Sequence, residues 1–199
     1  MTISRIGLVE TTRVCKPFKF NALRRLLRGL GFTPVFINRG SYQVFCGDKN
    51  LLSVKTPFHI TKEPITLEQY IRICGNDSIP MEGYKPWQIK HKPNTAITEV
   101  TLNQAELFCT KLSAKIGKPA RLPTVNELRV ANRLLTEKES KELRLLSWPI
   151  STYQEWTSDS MPNDRGEMVP VAFSLISDEK QALHKTFSAM HIGFRVVIE

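Results

Sequence analysis

The sequence lacks the features that mark several large classes of protein. Its apolar runs are only a few residues long, so no segment is predicted to cross a bilayer. The opening stretch MTISRIGLVE has neither the apolar run nor the small-residue cleavage site of a signal peptide, and we therefore expect a cytoplasmic protein. Glycine-rich phosphate loops and the GxSxG nucleophile elbow are also missing, which excludes the commonest nucleotide-binding and serine-hydrolase motifs.

Cysteine is scarce and widely spaced. The four cysteines are Cys15, Cys46, Cys74 and Cys109, and no two of them form a CxxC pair. A structural zinc site is therefore not predicted. In a reducing compartment we expect free thiols that act as small buried apolar groups, with a Cys15–Cys46 disulfide as the alternative.

Acidic residues are absent from the most basic parts of the chain, whose net charge is +9. Residues 11–31 contain six Arg or Lys side chains and no acid, and KPWQIKHK (85–92) contains three lysines and no acid. Residues 151–199, in contrast, contain four basic and seven acidic side chains. This asymmetry favours an acidic partner, either a nucleic acid or an acidic protein surface, although a solvated helix face has the same composition.

The stretch NALRRLLRGLG predicts an amphipathic helix, with Asn21 as its N-cap and Gly31 as its stop. The apolar residues follow the spacing of one buried stripe: Leu23, Leu26, Leu27 and Leu30. The basic residues occupy another side: Arg24, Arg25 and Arg28. TPVFI, SYQVFC and LLSV then predict three short strands, so residues 1–55 are expected to form a basic helix followed by a small antiparallel meander.

Residues 56–199 predict a second section of α+β class, with few helices, short antiparallel strands and long loops. Three capping boxes mark helix starts: Thr66 with Gln69, Thr101 with Gln104, and Thr124 with Glu127. The predicted strands are Phe58–Thr61, VPVAFSLI (169–176) and IGFRVVI (192–198). Residues 76–98 and 146–168 are expected to be loops, and long loops in a compact domain are usually functional or held by large side chains.

Five motifs of the second section resemble, in order, those of the formylglycine-generating enzyme family, also called the sulfatase-modifying factor domain. They are PFHITKEPITLEQY, ITEVTLNQAELFCTKL, GKPARLPTVNELRVANR, STYQEWTSD and HIGFRVV, and together they span about 140 residues. The fold of that family is related to C-type lectins, so the resemblance implies a lectin-like domain.

The resemblance also implies scaffold roles for particular side chains. Arg121 and Arg133 would be buried or half-buried and would tie loop carbonyls and acids together, while Trp156 and Phe194 would lie in the core. The complete set of implied structural residues is Arg121, Thr124, Glu127, Arg133, Glu155, Trp156, Asp159, Gly193, Phe194 and Arg195.

The chemistry of the resembled family is not expected here, and the sequence therefore resembles a degenerate member. Formylglycine-generating enzymes hold copper with two cysteines in the C-terminal part, and this chain has no cysteine beyond Cys109. Calcium is not favoured, because Thr152 stands where an asparagine ligand is usual. No metal or other cofactor is predicted. A mononuclear metal near His184 and His191, in an atypical oxidoreductase on the same scaffold, is the alternative.

We therefore expect a non-catalytic binding or accessory protein, of the kind found in phages and mobile elements, with an acidic partner and no membrane partner. One expected binding surface joins the loops 80–95 and 157–168, and the candidate contacts in the first are Lys85, Trp87, Lys90 and Lys92. The second is the face of Arg24, Arg25 and Arg28. A variable receptor-binding protein is a lower-ranked alternative, since QALHKTFSAMHIGFR lacks a dense run of Asn and Tyr.

Overall fold

The computed structural model describes residues 20–43, 51–75, 94–134, 153–174, 177–189 and 191–199. Over these ranges the helices are α1 (Phe20–Gly29), α2 (Leu67–Cys74), α3 (Leu102–Ile116) and α4 (Val125–Leu134). The strands are β1 (Pro34–Ile37), β2 (Gly40–Gln43), β3 (Leu51–Val54), β4 (Phe58–Thr61), β5 (Ala120–Arg121), β6 (Gln154–Pro162), β7 (Met168–Ser174), β8 (Glu179–Ala182), β9 (Ile192–Gly193) and β10 (Val197–Ile198). The predicted α+β class is confirmed.

The centre of the fold is a four-stranded antiparallel sheet in the order β1-β4-β10-β5. Alternate residues of a strand point to opposite faces, and here both faces are buried. Ile60 pairs with Val197 on one face, whereas His59 pairs with Ile198 on the other. Ile60 and Val197 belong to an apolar cluster with α4, and Ile198 belongs to a second cluster with α1, α2 and α3. The sheet therefore separates the two parts of the core.

The N-terminal strands do not form the predicted meander. β1 pairs with β4 in the central sheet, with Phe36 opposite His59, and only β2 and β3 pair with each other. Pairing of β1 is decided by burial, because Val35 and Ile37 extend the apolar face that Phe58 and Ile60 begin. This ladder links the two predicted sections across residue 55, and the division of the chain at that residue stays a prediction.

A second sheet, in the order β8-β7-β6-β9, corrects the prediction of a loop before residue 168. β6 is nine residues long and pairs with β7, so residues 157–168 form most of a hairpin rather than an open loop. β6 was not recognised in the sequence because Ser158, Asp159 and Ser160 are polar. From Ser158 to its end, β6 alternates between exposed and half-buried positions. The predicted last strand is divided, because β9 joins this sheet and β10 joins the central one.

Local signals place the helix starts well. The predicted capping boxes at Thr66 and Thr101 are confirmed. Each threonine hydroxyl accepts from the backbone N–H three residues later, and the glutamine side-chain oxygen at that position accepts from the backbone N–H of the threonine. Asn21 is an exception, because α1 begins at Phe20 and includes it. Gly31 does follow the end of α1, with a φ of +86° that favours glycine.

No helix in the part of the chain that the structure describes is long and apolar enough to cross a membrane.

Candidate binding surface

Helix α1 lies firmly on the core. Leu27 is completely buried, and Leu23 and Leu30 pack against the same cluster. Side chains of α2 hold the C-terminal end of α1 and the turn after it. Arg72 Nη1 donates to Gly29 O (3.3 Å), and Gln69 Nε2 donates to Gly31 O (2.6 Å). The apolar contacts and the hydrogen bonds together fix the helix in one orientation.

The predicted basic face of α1 points outward. Arg24, Arg25 and Arg28 are all exposed, and none of them forms an ion pair with an acid in the described ranges. Leu26 was predicted to belong to the buried stripe, but it is 43% exposed. The spacing of the apolar residues predicts a wider buried face than α1 has, because the core contacts this helix from one side only.

His59 lies beneath this face. Its side chain is buried, on the face of the central sheet that α1 covers, and its ring centroid lies 5.1 Å from that of Phe36. Burial lowers the pKa of His59, and the positive charge of Arg24 lowers it further. The neutral imidazole is therefore favoured, and the pKa of His59 depends on the charge of Arg24 on the outer face of α1.

The other predicted contacts cannot be placed. Lys85, Trp87, Lys90 and Lys92 lie outside the described residues. The structure therefore brings together only the three arginines of the predicted binding residues.

The residues around Arg121 form a network of ion pairs at the start of α4. Arg121 Nη1 and Nη2 each donate to one oxygen of Glu127 (2.8 Å), and Nε donates to Glu199 (2.8 Å). Glu127 also accepts from the backbone of Thr124, whose hydroxyl accepts from Glu127 N–H. Although burial raises the pKa of Glu127, the hydrogen bonds from Arg121 and Thr124 outweigh it and leave that pKa below its ordinary value. Glu127 therefore both caps the helix and fixes the arginine.

Asp159 and Arg133 occupy different positions near α4. Asp159 Oδ2 accepts from the Val125 backbone N–H (2.8 Å), so a carboxylate from β6 satisfies a free donor in the first turn of the helix. Arg133 is exposed, contrary to the expectation of a buried or half-buried side chain. α4 presents this position to solvent because its buried residues, among them Leu128 and Ala131, lie on another side.

A second ion pair lies inside the core. Arg195 and Glu155 are each about 1% exposed, and Arg195 Nε donates to Glu155 Oε2 at 2.8 Å. Arg195 Nη2 also donates to Asn132 of α4 (3.1 Å). Burying a charge is tolerated only with such partners. This pair joins β6 to the segment that connects β9 with β10.

The aromatic and glycine residues of the same region are closely packed. Trp156 is fully buried, and its indole N–H donates to Val100 O at 2.8 Å. Phe194 is also fully buried, with its ring centroid 5.3 Å from that of Phe108. A Cβ at Gly193 would collide with the Tyr153 hydroxyl and the Ile97 carbonyl oxygen. The scaffold role that the resemblance implies for these residues stays a prediction.

Sequence reasoning missed Arg129 and one cleft. Arg129 donates twice to Asp178 (2.8 and 2.9 Å) and lies over the ring of Phe173, contacts between segments that no short motif connects. The cleft, of about 410 Å³, lies between β3, the following residues 55–57 and the start of α4. Arg121 lines it but is already engaged by Glu127 and Glu199, which leaves Lys55 as its cation without an ion pair to a described acid.

The described residues include no cluster of three His, Cys, Asp or Glu side chains that could hold a metal ion. His184 is exposed, with its Nδ1 2.8 Å from Thr186 Oγ1. Cys74 and Cys109 are buried thiols outside any disulfide, and burial, assisted by the charge of Glu106, raises the pKa of Cys109 to about 12. Such a thiol stays protonated and unreactive at neutral pH. Cys15, Cys46, His91 and Thr152 lie outside the described residues.

No family of known sequences matches the chain, and no curated protein matches it either. Solved structures are similar to it in fold. CarF is 17% identical with a TM-score of 0.62, over 85% of this chain and 98% of CarF. Treponema denticola variable protein 1 is 16% identical with a TM-score of 0.60, over 84% and 95% of the two chains. PvdO from Pseudomonas aeruginosa is 16% identical with a TM-score of 0.57, over 83% and 94%.

These structures have folds of the formylglycine-generating-enzyme and C-type-lectin kind. At such low identity the likeness concerns the fold and not the activity. The chain therefore has a fold similar to this lectin-like group.

Proposed function

We propose that this protein is a non-catalytic binding module whose α1 helix binds a partner carrying closely spaced negative charges. The observation that carries the proposal is the state of Arg24, Arg25 and Arg28, which are exposed together and have no described acid as a partner. Arg133 and Arg165 are also exposed, but each is a single position in a different element.

Arginines without an internal ion pair are suited to binding. A guanidinium offers five N–H donors in a fixed fork, which fits the two oxygens of a carboxylate or a phosphate. An arginine that already contacts a carboxylate would have to lose that contact first. On α1 no contact with a described carboxylate has to be lost, and three like charges within two turns create a positive potential that attracts an anionic partner from a distance.

The rigid placement of α1 also supports binding. Leu27 is buried and the carbonyls of Gly29 and Gly31 are held by α2, so the helix exists before the partner arrives. A preformed surface has little conformational entropy to lose on association. The cleft beside α4 is a weaker candidate, because its arginine is already engaged.

The proposal also takes the chain to be a member of the lectin-like group without the oxidase activity of formylglycine-generating enzymes. It rests here on the absence of any cysteine after Cys109, since a cuprous ion in that chemistry needs a pair of thiolates.

The test compares two triple variants with equal loss of charge. Arg24→Gln/Arg25→Gln/Arg28→Gln removes the α1 face, and Arg165→Gln/Lys180→Gln/Lys185→Gln removes three exposed charges from the C-terminal part. The probes are a fluorescent single-stranded oligonucleotide of about 20 nucleotides and a polyglutamate peptide, each titrated at several salt concentrations.

We expect at least one probe to bind, and the α1 triple variant to weaken that binding at least about tenfold more than the control triple. If the oligonucleotide is the probe that binds, loss of three phosphate contacts should reduce the salt slope by about 2. Equal weakening by the two triples would overturn the proposal. So would failure, at low salt, of both probes and of the helical peptides described below.

A further inference from the structure

Beside the arginines, α1 exposes a second and apolar strip. Leu26 is 43% exposed, and Ala22 and Gly29 are exposed on the same side of the helix, at spacings of four and three residues. A Cβ at Gly29 would meet no atom within 4 Å, so the space above it is open. Leu26 therefore projects between two small residues as the largest apolar side chain of this strip.

The arginines run alongside this strip. With 3.6 residues per turn, Arg25 lies next to Ala22 and Gly29, and Arg24 and Arg28 lie farther round the helix. Arg24 and Arg28 are separated by about 6 Å along the axis, which is also the separation of two residues four apart on another helix. The exposed half of α1 is therefore apolar along one edge and positive along the other.

We propose that the partner is an amphipathic acidic helix of another protein, which packs its apolar residues on the strip of Ala22, Leu26 and Gly29 and directs its carboxylates to Arg24, Arg25 and Arg28. This inference rests on the proposed function and names the class of partner. Ala22 and Gly29 allow the backbones of the two helices to approach closely on either side of Leu26.

Two other occupants fit this surface less well. Single-stranded nucleic acids stack their bases on aromatic side chains, and none of the exposed residues of α1 between Ala22 and Gly29 is aromatic. A phosphate backbone also leaves Leu26 without an apolar contact. A second copy of this chain would bring its own arginines against these three, and like charges across an interface oppose association.

The experiment uses the full chain and two synthetic peptides of the same composition. In the first, Glu and Leu are spaced to occupy two adjacent stripes of a helix, and in the second the same residues are scrambled. Leu26→Ser tests the strip. Leu107→Ser on α3 is the matched control, because Leu107 is also 43% exposed on a helix. Gly29→Gln is a second variant, which adds bulk to the strip without removing an apolar contact of the folded protein.

We expect the amphipathic peptide to bind more tightly than the scrambled one. Leu26→Ser should weaken its binding by about fivefold, from the apolar area that is left uncovered, and Leu107→Ser should leave it unchanged. Gly29→Gln should weaken it as well. Thermal unfolding of each variant checks that the fold is intact.

The outcomes separate the two proposals. Binding of the oligonucleotide without the amphipathic peptide would overturn the helical partner and keep the anion-binding function. Equal binding of the two peptides, or equal effects of Leu26→Ser and Leu107→Ser, would also overturn the helical partner. Failure of the oligonucleotide, polyglutamate and both peptides would overturn the function itself.

Discussion

Three arginines of the C-terminal part have environments opposite to those of the arginines on α1. Arg121, Arg129 and Arg195 each have a nitrogen 2.8 Å from a carboxylate oxygen, in contacts that join separate segments of the chain. Arg24 and Arg25, like Arg28, have no such contact with a described acid and face solvent. Arginine therefore has two uses in this fold. In the C-terminal part it connects separate segments of the chain, whereas on α1, which is already held by its apolar face, it remains available for a partner.

The largest loss of stability is expected from substitution of Arg195. Arg195→Ala removes the partner of Glu155 and leaves a carboxylate buried and unpaired, so we expect the free energy of unfolding to fall by about 3 to 5 kcal/mol. Urea unfolding followed by circular dichroism measures it. The double variant Arg195→Met/Glu155→Leu removes both charges and should recover much of that loss. A single variant as stable as the parent would show that the ion pair does not hold this region together.

A smaller effect is expected at Arg121, which is partly exposed and therefore partly screened. Arg121→Gln should lower the free energy of unfolding by about 1 to 2 kcal/mol at neutral pH, because it removes the bidentate contact with Glu127. The pKa of Glu127 is below its ordinary value in the folded protein, so its contribution is present above the unfolded pKa and is lost as pH falls through the folded one.

The difference between parent and Arg121→Gln should therefore shrink in urea unfolding below about pH 4. Arg133→Gln, on α4 and exposed, is the control and should change stability by less than about 0.5 kcal/mol. A constant difference across this pH range would show that the Arg121–Glu127 pair is not its source.

The smallest effect is expected at Arg24. Arg24→Gln should leave stability at neutral pH within about 0.5 kcal/mol, since it removes no ion pair with a described acid, yet it should raise the pKa of His59. NMR titration of the His59 imidazole measures the shift, and Arg165→Gln serves as a distant control. An unchanged His59 titration would show that the outer face of α1 is not electrically coupled to the core.

The sign of the pH effect follows from burial. His59 has a lowered pKa in the folded state, so the unfolded chain binds a proton more readily and stability decreases as pH falls below about 6.5. Arg24→Gln should make this decrease smaller.

Short-range features were the most predictable from sequence. Thr66 and Thr101 cap their helices through a glutamine three residues away, and such a box needs no information from the rest of the chain. Strand β4 was also predicted with its observed bounds, Phe58–Thr61. β6 was not predicted, because its outer half begins with the polar run Ser158–Ser160 and ends at Pro162, a composition that is typical of a loop.

The candidate surface was predictable in part. The basic side of α1 follows from the helical spacing of Arg24, Arg25 and Arg28. The exposure of Leu26 does not, since a helical repeat describes which residues share a side but not how wide an arc the neighbours cover.

The sequence by itself determined the α+β class, the starts of α2, α3 and α4 and the excess of positive charge on α1, because caps, periodicity and charge act over a few residues. The tertiary structure alone decided that β1 joins the central sheet, that Arg129 meets Asp178 and that the arginines of α1 form no ion pair with an acid in the described ranges. These facts depend on segments far apart in the chain, which only the packing of apolar faces on both sides of the central sheet brings together.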